Sequence, residues 1–147
     1  MLGDILSERN DLTVADMEAG IEHLSRSDGT LRHVDILLIV LEPYRKALET
    51  ARRTLSLASD LGIEKIYGVA SKVEDAEDAE IVREFAAELG LEMLATVPYD
   101  ESVRLADRKG VSVIDIDDQS KAVVAVGELL DAIEKIIDRT GTAATSV

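Results

Sequence analysis

The 147-residue sequence predicts an α/β fold, in which helices cover both faces of a mostly parallel sheet of about five strands. Short apolar runs alternate with longer segments of helical period, and this alternation is typical of βαβ units. The run Ile36–Leu41 is apolar at consecutive positions, which favours a strand covered on both of its faces. With 46% hydrophobic residues the chain can bury one core, so a single domain is predicted over residues 1–138.

Five runs are predicted as strands, because each favours extended backbone and is followed by polar or turn residues. The predicted strands are Leu12–Ala15, Val34–Leu41, Lys65–Ala70, Met93–Val97 and Ser112–Ile114.

Four segments have helical period, and Asp, Pro or Gly residues mark most of their ends. They are Tyr44–Leu61, Ala76–Leu89, a short helix that opens at Asp100 and stops at Gly110, and Gln119–Asp138. Three apolar stripes are expected to dock on the sheet. Their members are Leu48, Ala51, Leu55 and Ala58, then Ile81, Phe85 and Leu89, and finally Val123, Val126, Leu130, Ile133 and Ile137. Residues 139–147 are small and polar and are expected to form a disordered tail.

The composition argues against several classes of function. A net charge of −14 repels phosphate backbones and anionic lipid, so no nucleic-acid partner is expected. The absence of cysteine excludes disulfides and thiolate metal sites. No apolar run approaches the length of a membrane segment, and the first ten residues lack the apolar core of a signal peptide. We therefore expect a cytoplasmic protein.

Candidate site residues follow the predicted strands, because ligands of parallel sheets bind at the carboxyl ends of the strands. The strand ends carry Asp16–Gly20, Glu42–Pro43, Ser71–Val73 and Pro98–Asp100. Each has an ordinary alternative: Asp16 caps a helix, Lys72 is a solvated lysine, and Pro98 ends a strand. Glu42, beside Pro43, is interpreted as structural.

Taken in order, four segments resemble one family. They are Asp16-Met17-Glu18-Ala19-Gly20-Ile21-Glu22-His23-Leu24, Val34-Asp35-Ile36-Leu37-Leu38-Ile39-Val40-Leu41-Glu42-Pro43, Leu61-Gly62-Ile63 and Val97-Pro98-Tyr99-Asp100-Glu101. From about Leu12 to Asp138 the chain resembles the MinD/ParA-type ATPases, and within them the branch that contains the nickel-insertion ATPase of carbon monoxide dehydrogenase maturation. This resemblance implies part of a P-loop NTPase fold of the SIMIBI type, with ATP or ADP and Mg²⁺ as ligands.

The resemblance implies roles for individual residues. Asp16 would occupy the Walker B position, where a carboxylate holds a water on Mg²⁺ and senses the γ-phosphate. Gly20 would let the switch backbone approach that phosphate. Ser71 and Lys72 would stand where the family reads the purine edge and covers its face. The other side of the base would be wrapped by Pro98, Tyr99 and Asp100.

Three departures from the family pattern change what is expected. Ser71 replaces the usual Asn, and a hydroxyl cannot present the paired donor and acceptor of a carboxamide. The cysteine pair of the nickel-handling members is missing, so no nickel site is visible. No Gly-rich loop with a lysine precedes Asp16, and such a loop is what cradles the phosphates. The chain alone is therefore expected to be an inactive member of an ATPase family.

Three functions remain open. The first is the nucleotide-binding half of an ATPase that matures or positions a partner protein, acting as a homodimer or with a chain that bears the P-loop, on a client metalloprotein. The second is a non-catalytic interaction module derived from the same fold. The third, an enzyme with carboxylate acid/base chemistry, rests only on the abundance of Asp and Glu, which mostly form a solvated surface.

In the family, the strand that feeds the phosphate loop lies between the Walker B strand and the strand matching Val34–Leu41. Without it the sheet would have a slot with unpaired backbone groups, which are costly to bury. We expect one of three repairs: Leu12–Ala15 pairs with Val34–Leu41, a second copy or partner fills the slot, or Met1–Gly20 detaches. Direct pairing is favoured because it needs no partner.

Overall fold

The computed structural model describes residues 13–17 and 34–143, with side chains of the second range described as far as residue 138. Within these ranges the chain forms three strands and five helices. The strands are β1 (Leu37–Leu41), β2 (Ile66–Val73) and β3 (Glu92–Pro98). The helices are α1 (Arg45–Asp60), α2 (Ala76–Leu89), α3 (Glu101–Lys109), α4 (Val113–Ile116) and α5 (Lys121–Ala143).

The three strands form one parallel sheet in the order β1-β2-β3, and this confirms the predicted α/β class. Successive strands are neighbours, and α1 and α2 are the connections between them. Because such crossovers are almost always right-handed, two that step in the same direction place their helices on the same face. Both helices indeed contribute to a single buried cluster with the sheet.

The alternation of side chains along β1 shows how that face is filled. Ile39 and Leu41 point into the cluster, where Leu41 has no exposed surface, and pack with Leu48 of α1 and Val82 of α2. Val40 points to the opposite face and is 60% exposed. Within the described residues this second face of β1 is not covered at Val40, so the covering of both faces stays a prediction for this strand.

Local cap residues explain why the helices begin and end where predicted. The side chain of Asp75 accepts the Asp78 backbone N–H at 2.9 Å and so starts α2. Gly90 and Gly110, at φ near +65°, end α2 and α3. The stripe predicted for α1 is the buried one, whereas on α2 burial centres on Val82 and Ala86 and leaves Ile81 exposed.

Helix α5 packs mainly on β3, but through a different stripe from the one predicted. Ala122 and Ala125 are buried, whereas Val126, Leu130 and Ile137 of the expected stripe are exposed. The small alanines let the helix approach the strand closely, which the larger side chains do not. The helix also continues to Ala143, beyond the expected end at Asp138. None of the helices in residues 34–143 is long and apolar enough to cross a membrane.

Two predicted strands do not form in the described residues. Ser112–Ile114 instead opens α4, because the Ser112 hydroxyl accepts the Ile114 N–H at 3.3 Å and caps a helical turn. Thr13–Ala15 has no regular structure and is exposed, with Val14 86% exposed. A strand of this length gains little without a neighbour to complete its hydrogen bonds.

The favoured repair of the sheet is therefore wrong. Thr13–Ala15 does not pair with β1, and within the described ranges β1 pairs only with β2. Of the segment Met1–Gly20 only residues 13–17 are described, so Leu12 and the other residues of this segment lie outside the described structure. The two other repairs stay predictions.

A glycine at the centre of β2 generates a test of this packing. A β-carbon on Gly68 would collide with Met93 Sδ and lie 3.0 Å from Leu41 Cδ1 in the core. We expect Gly68→Ala to lower the free energy of unfolding by about 1–3 kcal/mol through overpacking. The control is Gly127→Ala on α5, where a β-carbon meets nothing within 4 Å; it should raise the free energy by about 0.5–1 kcal/mol. Urea unfolding measures both, and equal effects would contradict the described core.

Candidate site at the carboxyl ends of the strands

The carboxyl ends of the three strands bring together side chains that are distant in the sequence. Glu42 follows β1, Lys72 lies near the end of β2, and Tyr99 follows β3. The Tyr99 N–H donates to the Val73 carbonyl oxygen at 2.9 Å, which extends the pairing of β2 and β3 by one step. This edge is the position at which parallel sheets bind ligands.

Ser71 and Lys72 lie within β2, and not after it as predicted. The pairing passes from Ala70↔Thr96 to Val73↔Pro98, so β2 uses three residue steps where β3 uses two. This extra residue is a bulge, and Lys72 within it has φ of +57°. Among the described residues Lys72 is the only one other than glycine with positive φ. The bulge turns Lys72 away from the regular alternation of the strand.

The ammonium group of Lys72 forms an ion pair with Glu42, at 2.6 Å between Nζ and Oε1. The hydrogen bond to Glu42 raises the pKa of the Lys72 ammonium above its ordinary value, against a smaller opposing effect of burial. The Lys72 side chain is 59% exposed and that of Glu42 30%. An ion pair this exposed is weak, so it orients Lys72 more than it stabilises the fold.

Pro98 and Tyr99 continue the same edge on the side of β3. Pro98 is the last residue of β3 and pairs in register with Val73. Tyr99 is exposed, and its hydroxyl donates to Glu101 Oε2 at 3.1 Å. Its ring is therefore accessible beside the β2 bulge.

Asp100 connects two helices to this edge. Its Oδ1 accepts the Ser102 N–H at 2.8 Å and caps α3, as the sequence predicted. Its Oδ2 accepts the Ala122 N–H at 3.0 Å, in the first turn of α5. The N–H groups of Ala122 and then Ser102 lower the pKa of the Asp100 carboxyl below its ordinary value. Both carboxylate oxygens are thus engaged in capping.

The two other predicted site residues, Asp16 and Gly20, are not tested by the described structure. Asp16 is exposed and has no regular secondary structure. Gly20 lies outside the described residues. The Walker B role of Asp16, including its contact with Mg²⁺ through water, stays a prediction.

A metal ion needs several oxygen or nitrogen ligands close together. In residues 13–17 and 34–143 no group of three His, Asp or Glu side chains is placed to hold one. A shallow depression exists, but it lies at the amino ends of β1 and β2, opposite the candidate site. It is lined by Val34, Asp35, Leu61, Gly62, Ile63, Glu64 and Lys65.

Glu42 is the residue that sequence reasoning missed, because its neighbour Pro43 suggested a purely structural turn. The turn exists, since the Tyr44 N–H donates to the Glu42 carbonyl oxygen at 2.7 Å. The side chain nevertheless reaches Lys72 on the next strand. A useful indication was available in the sequence: both residues end predicted neighbouring strands and carry opposite charges.

Comparison with known proteins supports the fold and adds sequence relatives. No family model matches the chain. An ATP-binding protein of unknown function from Methanocaldococcus jannaschii is 40% identical over 141 residues, covering 95% of this chain and 52% of the relative. The carbon monoxide dehydrogenase accessory protein CooC of Rhodospirillum rubrum is 36% identical over 135 residues, covering 90% and 50%. The chain spans about half the length of these curated relatives.

Solved structures give the same fold. The cell division ATPase MinD of Pyrococcus furiosus superposes with a TM-score of 0.60 at 18% identity, covering 92% of this chain and 57% of MinD. MinD of Aquifex aeolicus gives 0.59 at 16% identity, covering 76% and 47%. The chain is therefore similar in fold to MinD ATPases and in sequence to ATP-binding proteins of about twice its length. Among these relatives is the carbon monoxide dehydrogenase accessory protein CooC.

The double cap made by Asp100 generates a prediction. We expect Asp100→Ala to lower the free energy of unfolding by about 2 kcal/mol, because it removes the cap of α3 and a hydrogen bond to the first turn of α5, each worth about 1 kcal/mol. Asp75→Ala, which uncaps only α2, should cost roughly half as much. The pKa of the Asp100 carboxyl is lowered in the folded state. The stabilisation of the fold by the ionised Asp100 is therefore fully present above about pH 4 and is lost as pH falls through that lowered pKa. Urea unfolding between pH 7 and pH 2 measures both, and equal losses for the two variants would contradict the double cap.

Proposed function

We propose that this chain is the nucleotide-base-binding half of a MinD/ParA-type ATPase and does not hydrolyse ATP by itself. The observation that carries the proposal is the joined edge of β2 and β3, where the Lys72 bulge and the exposed Tyr99 flank Val73. The family and the ATP-binding relative support a nucleotide as ligand. A purine is a flat apolar ring with a polar edge, and a lysine stem beside an aromatic ring suits its faces.

The residues present fit the base better than they fit the phosphates or the metal. On the base side, Lys72 and Tyr99 are accessible, and the Ser71 hydroxyl offers one donor or acceptor to the purine edge. On the phosphate side, the 147 residues contain no Gly-rich loop with a lysine. When bound with Mg²⁺, ATP would supply the phosphoryl group for hydrolysis, and Asp16 would hold a water on the metal only beside such a loop.

The proposed biological role is the maturation or positioning of a partner protein. It is supported by the similarity to CooC, an accessory protein of carbon monoxide dehydrogenase. We propose that the nucleotide-bound form acts as a homodimer, or with a chain bearing the P-loop, on a client metalloprotein in the cytoplasm. The chain offers no cysteine for holding nickel itself.

A second candidate, a non-catalytic interaction module, is favoured by one observation. Among the described residues Val40 is 60% exposed on one face of β1, and an apolar side chain there suits a protein contact. Equilibrium binding of ADP and ATP separates the two candidates. Binding supports the nucleotide-binding half, whereas its absence would leave the interaction module.

The proposed lack of hydrolysis is tested by steady-state assay of the purified chain with Mg²⁺ and ATP. We expect no turnover above background, because Asp16 alone cannot organise the phosphates. Asp16→Asn should give the same background rate. Turnover in the wild-type chain that Asp16→Asn abolishes would refute the proposal.

The assignment of the base pocket is tested by comparing two lysines. Lys72→Ala should weaken ADP binding roughly tenfold, since it removes a side chain of the proposed pocket. Lys135→Ala, on the exposed surface of α5, should leave the affinity unchanged. Isothermal titration calorimetry measures both dissociation constants. Equal effects of the two substitutions would show that the pocket is placed wrongly.

A further inference from the structure

The Lys72 bulge holds a backbone conformation that its own residue type disfavours. A β-carbon at φ of +57° is crowded by the backbone, and glycine adopts this region without that cost. The conformation is fixed from the following residue, because Val73 is buried and its carbonyl oxygen accepts the Tyr99 N–H. Such conformations persist where the surroundings enforce them, and they cluster at ligand sites.

Glu42 is held in place independently of Lys72. It follows directly after Leu41, which is fully buried, and its carbonyl oxygen accepts the Tyr44 N–H in a tight turn. Its side chain is more enclosed than that of Lys72. Glu42 is thus the fixed partner of the ion pair, and Lys72 is the long side chain that it orients.

The ion pair stretches the Lys72 side chain from the β2 bulge to the end of β1. At 2.6 Å from a carboxylate, the ammonium group has its charge compensated locally. A compensated charge attracts a phosphate weakly. The four-carbon stem, in contrast, stays accessible, because the side chain is 59% exposed.

We propose that Glu42 is a positioning residue that holds the Lys72 stem across the ends of β1 and β2, so that a nucleoside binds against the stem and not through the lysine charge. This inference rests on the proposed function, which supplies the nucleotide. It adds that Glu42, which is not part of the proposed base pocket, is needed to hold the Lys72 stem where the nucleoside binds.

The binding test compares adenosine with ATP by isothermal titration calorimetry. Lys72→Met keeps an apolar stem without a charge and should retain the affinity within about twofold, whereas Lys72→Ala should lower the affinity for both ligands roughly tenfold.

Glu42→Gln should lower the affinity for both ligands about three- to fivefold, because the uncompensated ammonium group turns to solvent and the stem moves with it. In a chain that already carries Lys72→Met, Glu42→Gln should cause no further loss of affinity, because there is no ammonium group left to position. Glu88→Gln, which breaks the 2.9 Å ion pair with Arg52 on the helical side, is the matched control and should change nothing.

Two results would overturn the part of the inference that concerns binding, namely that the nucleoside lies against the Lys72 stem. One is a loss in Lys72→Met as large as in Lys72→Ala. The other is a loss that is greater for ATP than for adenosine, which would show that the lysine charge contacts phosphate. If the wild-type chain binds neither ligand, the proposed function fails together with this part.

Two further measurements test the role of Glu42 without any ligand. In an NMR titration the Lys72 pKa should fall in Glu42→Gln and stay unchanged in Glu88→Gln. Lys72→Gly should melt about 2–4 °C above Lys72→Ala, because only glycine relieves the left-handed backbone. The reverse order is expected at the exposed helical residue Glu84. An unchanged Lys72 pKa in Glu42→Gln would refute the positioning role even if nucleotide binds.

Discussion

The pairing of β2 with a parallel strand on each side is the constraint on which the rest of the described structure depends. β1 pairs with it from Leu37↔Ile66 to Leu41↔Ala70, and β3 pairs along its other edge. Parallel neighbours require long crossovers, so α1 and α2 are brought onto one face and bury the core with it. Gly68 lies at the centre of this arrangement, where a larger side chain has no room. Both helices and the strand-end site inherit their positions from this one strand.

The candidate site arises from the point at which that regular pairing breaks. A perfectly regular β2 would alternate Ser71, Lys72 and Val73 between the two faces of the sheet. The bulge instead lets Val73 stay buried and paired while Lys72 leaves the alternation and reaches Glu42. Chemical groups from three strands meet at this edge because the irregularity is local and is closed again by the Tyr99 hydrogen bond. The same backbone that stabilises the sheet therefore also shapes the site.

Features set by local sequence could be predicted, and features set by distant contacts could not. The caps at Asp75 and Asp100 and the stripe of α1 depend on residues within one or two turns. The buried face of α5 was misjudged because two adjacent stripes are both apolar, and only contact with β3 selects the alanines. The bulge at Lys72 depends on the register between β2 and β3, which no local pattern encodes. The resemblance to the MinD/ParA-type ATPases predicted a base site at Ser71 and Lys72, but it gave no reason to connect Glu42 with Lys72.

The hydrogen bonds of Asp100 affect the local unfolding of the first turns of α3 and α5. Because one carboxylate accepts the N–H groups of Ser102 in α3 and Ala122 in α5, opening of the first turn of α5 removes a hydrogen bond from the residue that caps α3. The first turns of the two helices therefore form one locally coupled unit, in which the Ser120 hydroxyl also accepts the Val123 N–H of α5 at 3.4 Å. That unit begins directly after Tyr99, at the border of the candidate site. A change in the strand-end loop can thus reach the first turn of α5 through a single side chain.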